Sequence, residues 1–199
     1  MTQPTLRRRQ ADLATASILE TFRQHLERGD ADELSMEDLA QEAGVSRRTL
    51  YRYFPSRDDL LAAAGSWIRD EVLQLPVEIG DEGIAASFRA AAARLNEHPR
   101  LARALLRTES GRAVRSGYRS ERAEAIRLAL RRDVPGLSKR DLDRAAAVLC
   151  YLCSSNAWIT IQDESGLDAS GAQAAVVWAI ETLLDRLRAT TKPSSNRGK

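Results

Sequence analysis

From Leu13 to Leu187 the apolar residues recur at steps of three and four, and the alternating β-branched runs that strands require are missing. A period near 3.6 gathers such positions on one face of a helix, so the chain buries apolar surface only by packing helix on helix. The longer stripes run Leu13, Ala16, Leu19, Phe22 and Leu26; Leu61, Ala64, Ile68, Val72 and Leu75; and Ile84, Phe88, Ala91, Ala92 and Leu95. Further along come Leu101, Leu105 and Leu106; Ala123, Ile126 and Leu130; Leu142 to Ile159; and Ala172 to Leu187. With two shorter segments between Ser35 and Tyr53, this predicts an all-α fold of about nine helices.

The breaks fall where the backbone chemistry puts them: Gly29-Asp30, Pro55, Pro76 with Gly80, His98-Pro99, Pro135-Gly136 and Gly166. Gly111 and Gly117 are expected to loosen the stretch between them. Ser35 with Asp38, Ser56 with Asp59 and Ser138 with Asp141 are helix starts, since the hydroxyl accepts from first-turn amides and the carboxylate favours the positive helix end. The first few residues, with Pro4, and residues 190–199, with Pro193 and Gly198, have no apolar face and are read as disordered. Arg7, Arg8 and Arg9 read as a frayed basic tail rather than an arm entering a minor groove.

Several function classes are excluded early. There is no Gly-rich phosphate loop, no Gly-x-Ser-x-Gly turn and no acid-rich metal motif, and the only histidines, His25 and His98, are far apart. No enzyme and no cofactor are expected. Cys150 and Cys153 lack the further ligands of a zinc site and are read as free core thiols in a reducing compartment. No run approaches the ~18 apolar residues of a membrane span, so a cytoplasmic protein is expected, without a membrane partner.

The formal net charge is only +2, so a nucleic-acid partner cannot be argued from bulk charge. The distribution is more telling. Between Ser46 and Arg57 stand Arg47, Arg48, Arg52 and Arg57 with no acidic residue. They lie in a stretch built like a helix-turn-helix: Leu39, Ala40, Ala43, Val45 and Leu50 supply a small apolar kernel and Gly44 a turn. The second helix would present Arg47, Arg48, Thr49, Tyr51 and Arg52 outward, with arginine suited to guanine edges or phosphate and tyrosine hydroxyls to phosphate.

Gly44-Val45-Ser46, Thr49-Leu50-Tyr51-Arg52-Tyr53-Phe54 and Ser56-Arg57-Asp58-Asp59-Leu60-Leu61 closely resemble the signature of the tetracycline-repressor-like (TetR) regulators. The resemblance covers roughly residues 10–70. It implies an N-terminal three-helix DNA-binding domain, residues 1–54, and a connecting helix followed by a helical effector-binding and dimerisation domain, residues 55–189. Carried over by position, Ser46, Arg47, Arg48 and Thr49 would face the major groove, Tyr51, Tyr53 and Arg57 would contact phosphates, and Ser35 would offer a phosphate-facing hydroxyl.

The implied partners are a double-stranded DNA operator, a second copy of the chain and a small-molecule effector. A pocket is expected among Trp67, Phe88, Leu105, Tyr118, Ile126, Tyr151 and Trp158. The last two alanine-rich stripes are expected to form the dimer interface, through Leu149, Leu152, Asn156 and Ile159 and through Val176, Ala179, Ile180, Leu183 and Leu187. Recognition helices about 34 Å apart would then reach successive major grooves of a near-palindromic site, and the effector would release it, making the protein a repressor. The alternatives are an activator or architectural DNA binder without a ligand, and a helical enzyme or interaction module with a vestigial helix-turn-helix.

Overall fold

The computed structural model describes residues 6–76 and 78–191, with side chains from Gln10 onward. The polar ends and the side chains of Arg7, Arg8 and Arg9 therefore lie outside the described residues, except that Thr190 and Thr191 continue the last helix. The described residues hold α-helices and no strand: α1 (Leu6–Arg28), α2 (Met36–Glu42), α3 (Arg47–Tyr53), α4 (Arg57–Trp67), α5 (Gly83–Glu97), α6 (Pro99–Arg107), α7 (Glu109–Ser116), α8 (Arg119–Asp133), α9 (Lys139–Leu152), α10 (Ser155–Ser165) and α11 (Ala169–Thr191).

The serine starts hold as read. Ser35, Ser56 and Ser138 each accept the backbone N–H three residues on, and Ser56 with Asp59 closes a reciprocal capping box. Two further starts went unread. Thr108 accepts from Gly111 N and opens α7 where a loosened segment was expected, and Ser154 accepts from Ala157 N and opens α10. The stripe from Leu142 to Ile159 is thus two helices. Its break was marked by Ser154-Ser155-Asn156, three residues that favour helix ends over helix interiors.

A single π-helical turn, Ile68–Val72, continues α4. The wider turn shifts the phase of the stripe, so Leu73 is fully buried in place of the expected Val72 and Leu75.

The chain forms two compact units. The first comprises the residues up to Gln74 together with His98–Tyr118, and the second Leu75–Glu97 together with the residues from Arg119 onward. The first is discontinuous in sequence because α6 packs on α1 and α7 packs on α4. Its core contains Ile18, Phe22, Leu26, Leu50, Leu60, Ile68, Leu101 and Leu105, each at most 1% exposed. The approach of α4 to α7 depends on Gly65, where a Cβ would meet the Val114 carbonyl oxygen at 2.5 Å.

In the second unit α11 packs against α5, α9 and α10, and α8 against α9 and α5. Ile84, Phe88, Ile126, Leu149, Trp158, Val176 and Ile180 fill its core. The Trp158 indole N–H donates to the Ala169 carbonyl at 3.1 Å, giving its buried polar atom a partner.

Candidate nucleic-acid interface

The interface is built from the α2–α3 turn outward. Gly44 takes φ +69°, a left-handed conformation open to glycine at little cost, and the turn closes with Val45 N donating to the Ala40 carbonyl at 2.9 Å. The Ser17 hydroxyl donates to the Ala43 carbonyl at 2.9 Å, fastening the turn to α1. A second fastening was invisible in the sequence: buried His25 on α1 sets Nδ1 2.8 Å from Asp30 Oδ1 and Nε2 2.9 Å from Glu42 Oε2.

With Leu39, Ala40, Leu50 and Phe54 buried beneath it, α3 lies over the kernel and turns Arg47, Arg48, Tyr51 and Arg52 to solvent. Ser46 caps the helix by accepting from Thr49 N at 3.1 Å, and its hydroxyl also pairs with Thr49 Oγ1 at 2.9 Å. Ser35 likewise caps α2, and its hydroxyl donates to Asp38 Oδ2 at 2.6 Å.

The exposed cations differ in how they are held. Arg48 projects into solvent without a bonded partner among the described residues. Arg52 stacks on the Tyr53 ring, 4.7 Å from its centroid, and donates to the Tyr53 hydroxyl at 2.9 Å. Arg47 donates to Glu37 Oε1 at 2.6 Å, and the Tyr51 hydroxyl donates to the same oxygen at 3.2 Å. Partial desolvation, with the neighbouring Glu37 carboxylate, moves the Tyr51 phenol above its ordinary value.

Arg57, expected on a phosphate, has its guanidinium pointing into the first unit in the chain without DNA, where it donates to the carbonyls of Leu34, at 2.7 Å, and Ala31, and to the Ser110 hydroxyl at 3.1 Å. Beside it Asp32 accepts from Glu109 N at 2.9 Å and Ser110 N at 2.7 Å, so the α1–α2 loop caps the start of α7. The hydrogen bond with the Ser110 side chain, and those from the two amides, hold the Asp32 carboxyl below its ordinary range against the opposing effect of burial. No local pattern announces contacts that cross 53 to 78 positions.

A scan of family models matches residues 18–64 to the bacterial regulatory proteins of the tetR family. That segment, from α1 to α4, is similar to the family's DNA-binding region. Over 46 residues this chain is 48% identical to the HTH-type transcriptional regulator EthR of Mycolicibacterium smegmatis, a match covering 23% of this chain and 21% of that relative. The likeness in sequence therefore spans about a fifth of the curated relative's length.

Two solved structures share the fold at greater length. The chain superposes on Mycobacterium smegmatis BioQ with a TM-score of 0.53 and 23% identity, covering 86% of this chain and 96% of that one. It superposes on a tetR-family transcriptional regulator from Streptomyces coelicolor with a TM-score of 0.54 and 18% identity, covering 91% and 93%. The family and the relative matched in sequence are both described as regulatory proteins.

Elsewhere the sequence-predicted residues are divided between the two units. Of the expected pocket, Trp67, Leu105 and Tyr118 belong to the first unit and Phe88, Ile126, Tyr151 and Trp158 to the second. Tyr151 is 55% exposed on α9, whereas Phe88, Leu105, Ile126 and Trp158 are buried. Of the expected dimer residues, Leu149, Ile159, Val176 and Ile180 are at most 4% exposed and belong to the chain's own core. Leu152, Asn156, Ala179, Leu183 and Leu187 are half-buried.

What α9 and α11 turn outward instead is Val148, Tyr151 and Trp178, the last 69% exposed. Cys150 and Cys153 are free, and burial pushes the Cys153 thiol up to about 12, so it stays protonated and unreactive at neutral pH. Among the described residues no helix is long and apolar enough to cross a membrane.

Proposed function

We propose that this protein is a cytoplasmic DNA-binding repressor that acts as a homodimer on a near-palindromic operator and leaves it when a small molecule binds. The observation that carries this reading is the outer face of α3, where Arg47, Arg48, Tyr51 and Arg52 are exposed while Leu50 anchors the helix from below. A short helix held this way can enter a major groove, with its N-terminal residues aimed at base edges. Ser46 and Thr49 add hydroxyls at that end, and Ser35 and Tyr53 flank it.

Arg48 is the side chain with the most freedom to fork onto a base pair. Arg48→Ala is expected to weaken binding to an operator selected from a random DNA pool by about 5- to 150-fold, corresponding to ~1–3 kcal/mol, and to relax preference at one position. Titration by fluorescence anisotropy measures this; unchanged affinity and an unchanged consensus would defeat the assignment of α3 as the reading helix.

For effector release, α7 is joined to the α1–α2 loop through Ser110 and Asp32, and to the start of α4 through Ser110 and Arg57. A ligand that prefers a shifted α7 would alter the α1–α2 loop, and discrimination between states of ~1–3 kcal/mol weakens DNA binding about 5- to 150-fold. Thermal-shift screening is expected to find a small molecule that stabilises the protein and lowers its operator affinity. A stabilising response to operator DNA alone would favour a ligand-independent DNA binder.

A further inference from the structure

The carboxylate of Glu37 occupies the same surface on which α3 is to meet DNA. One oxygen, Oε1, takes the Arg47 guanidinium at 2.6 Å and the Tyr51 hydroxyl at 3.2 Å, two side chains one helical turn apart on α3 held by a single group on α2. Arg47 is 70% exposed and Glu37 41% exposed, so solvent, salt and DNA all have access to the pair. Of the cations that α3 shows to solvent, Arg47 is matched by a carboxylate, whereas Arg48 and Arg52 have no ion pair among the described residues.

We propose that Glu37 is a specificity-determining residue, which restrains Arg47 and Tyr51 from indiscriminate phosphate contact and keeps Arg47 aimed for its base or phosphate in the operator complex. This rests on the reading of α3 as the DNA-reading helix. The physical ground is the difference between two kinds of contact. Binding to any duplex comes from cations that displace counterions from phosphates, and it grows with each arginine free to do so. Binding to one sequence comes from donors held in a fixed geometry against base edges.

A guanidinium tethered through Nη2 to Glu37 is poor at the first task, because its charge is matched and its reach limited. It is better prepared for the second, because its remaining N–H groups point in a set direction before DNA arrives. The paired Tyr51 hydroxyl is restrained in the same way.

The test is Glu37→Gln, which keeps the shape and removes the charge, measured in the full-length protein against two probes: the duplex selected from a random pool and a scrambled duplex of equal length. The variant is expected to bind the scrambled duplex on the order of eightfold more tightly at 0.1 M salt, with a salt dependence steeper by about one phosphate contact. The ratio of selected to scrambled affinity is expected to fall. In an Arg47→Ala background the gain from Glu37→Gln should vanish.

Equal scrambled-duplex affinity and slope in wild type and variant would overturn the proposal, as would equal gains on both duplexes. A gain that persists without Arg47 would also overturn it, since bulk charge would then be the cause. Glu37→Ala, with an unfolding midpoint like that of wild type, guards against an effect peculiar to glutamine. Should wild type itself select no sequence from the pool, the DNA-binding reading fails; a wild type that selects normally beside an indifferent Glu37→Gln sinks only the role of Glu37.

Discussion

Trp178→Asp is expected to yield a folded monomer whose operator affinity is lower by about a hundredfold or more, because linking two DNA-reading modules multiplies affinity by roughly 10²–10⁴. Trp178 is 69% exposed, so its replacement removes little from the chain's own core. It borders a shallow groove of about 270 Å³ with Arg89, Gln173, Ala174, Val177 and Glu181, in which Arg89 donates to Glu181 at 2.7 Å. An indole so placed is uncommon on a monomer surface and typical of interface centres. A two-fold interface would set this patch against its own copy.

Sedimentation and operator titration check the result together with the unfolding midpoint. A variant that remains dimeric and binds normally would move the interface elsewhere. Ile180, two residues on and fully buried, provides the contrast: Ile180→Asp is a core substitution whose effect belongs to folding.

Arg57→Ala is expected to cost about 2–3 kcal/mol of stability, since hydrogen bonds to charged groups contribute ~1.5–3 kcal/mol and the carbonyls of Ala31 and Leu34 would lose their donor. Ala31 and Leu34 are both buried, so water replaces the guanidinium poorly. Urea unfolding measures the loss. Operator binding of the folded fraction should keep the salt dependence of wild type, because Arg57 faces the Asp32 and Ser110 cluster rather than a phosphate. A flattened salt dependence with unchanged stability would return Arg57 to the DNA surface.

Arg57 illustrates how far the sequence could be read. Its position in the Ser-Arg-Asp-Asp-Leu-Leu motif was legible, and so was the capping box that opens α4 around it. The direction of its side chain was not, because its acceptors lie 23, 26 and 53 positions away. Glu37 was equally hidden, since its bond to Arg47 exists only once the Gly44 turn has folded α2 against α3. Ser154, by contrast, was a missed signal of an ordinary local kind.

The stripe on α11 falls between these cases. Its apolar face was identified, but both its core members and its half-buried ones were assigned to an interface. Neighbouring positions on a helix differ by about 100° in direction, so a stripe fixes a face only broadly. Packing against α5, α9 and α10 put Val176 and Ile180 inside and left Trp178 outside.

What the sequence determined by itself is whatever hydrogen bonds and apolar periodicity encode within a few residues: the helices, the serine caps, the glycine turn and the outward arginines of α3. The tertiary structure alone decided which charges meet and which apolar residues stay exposed. Those outcomes depend on segments brought together across tens of residues, where no local rule of spacing reaches.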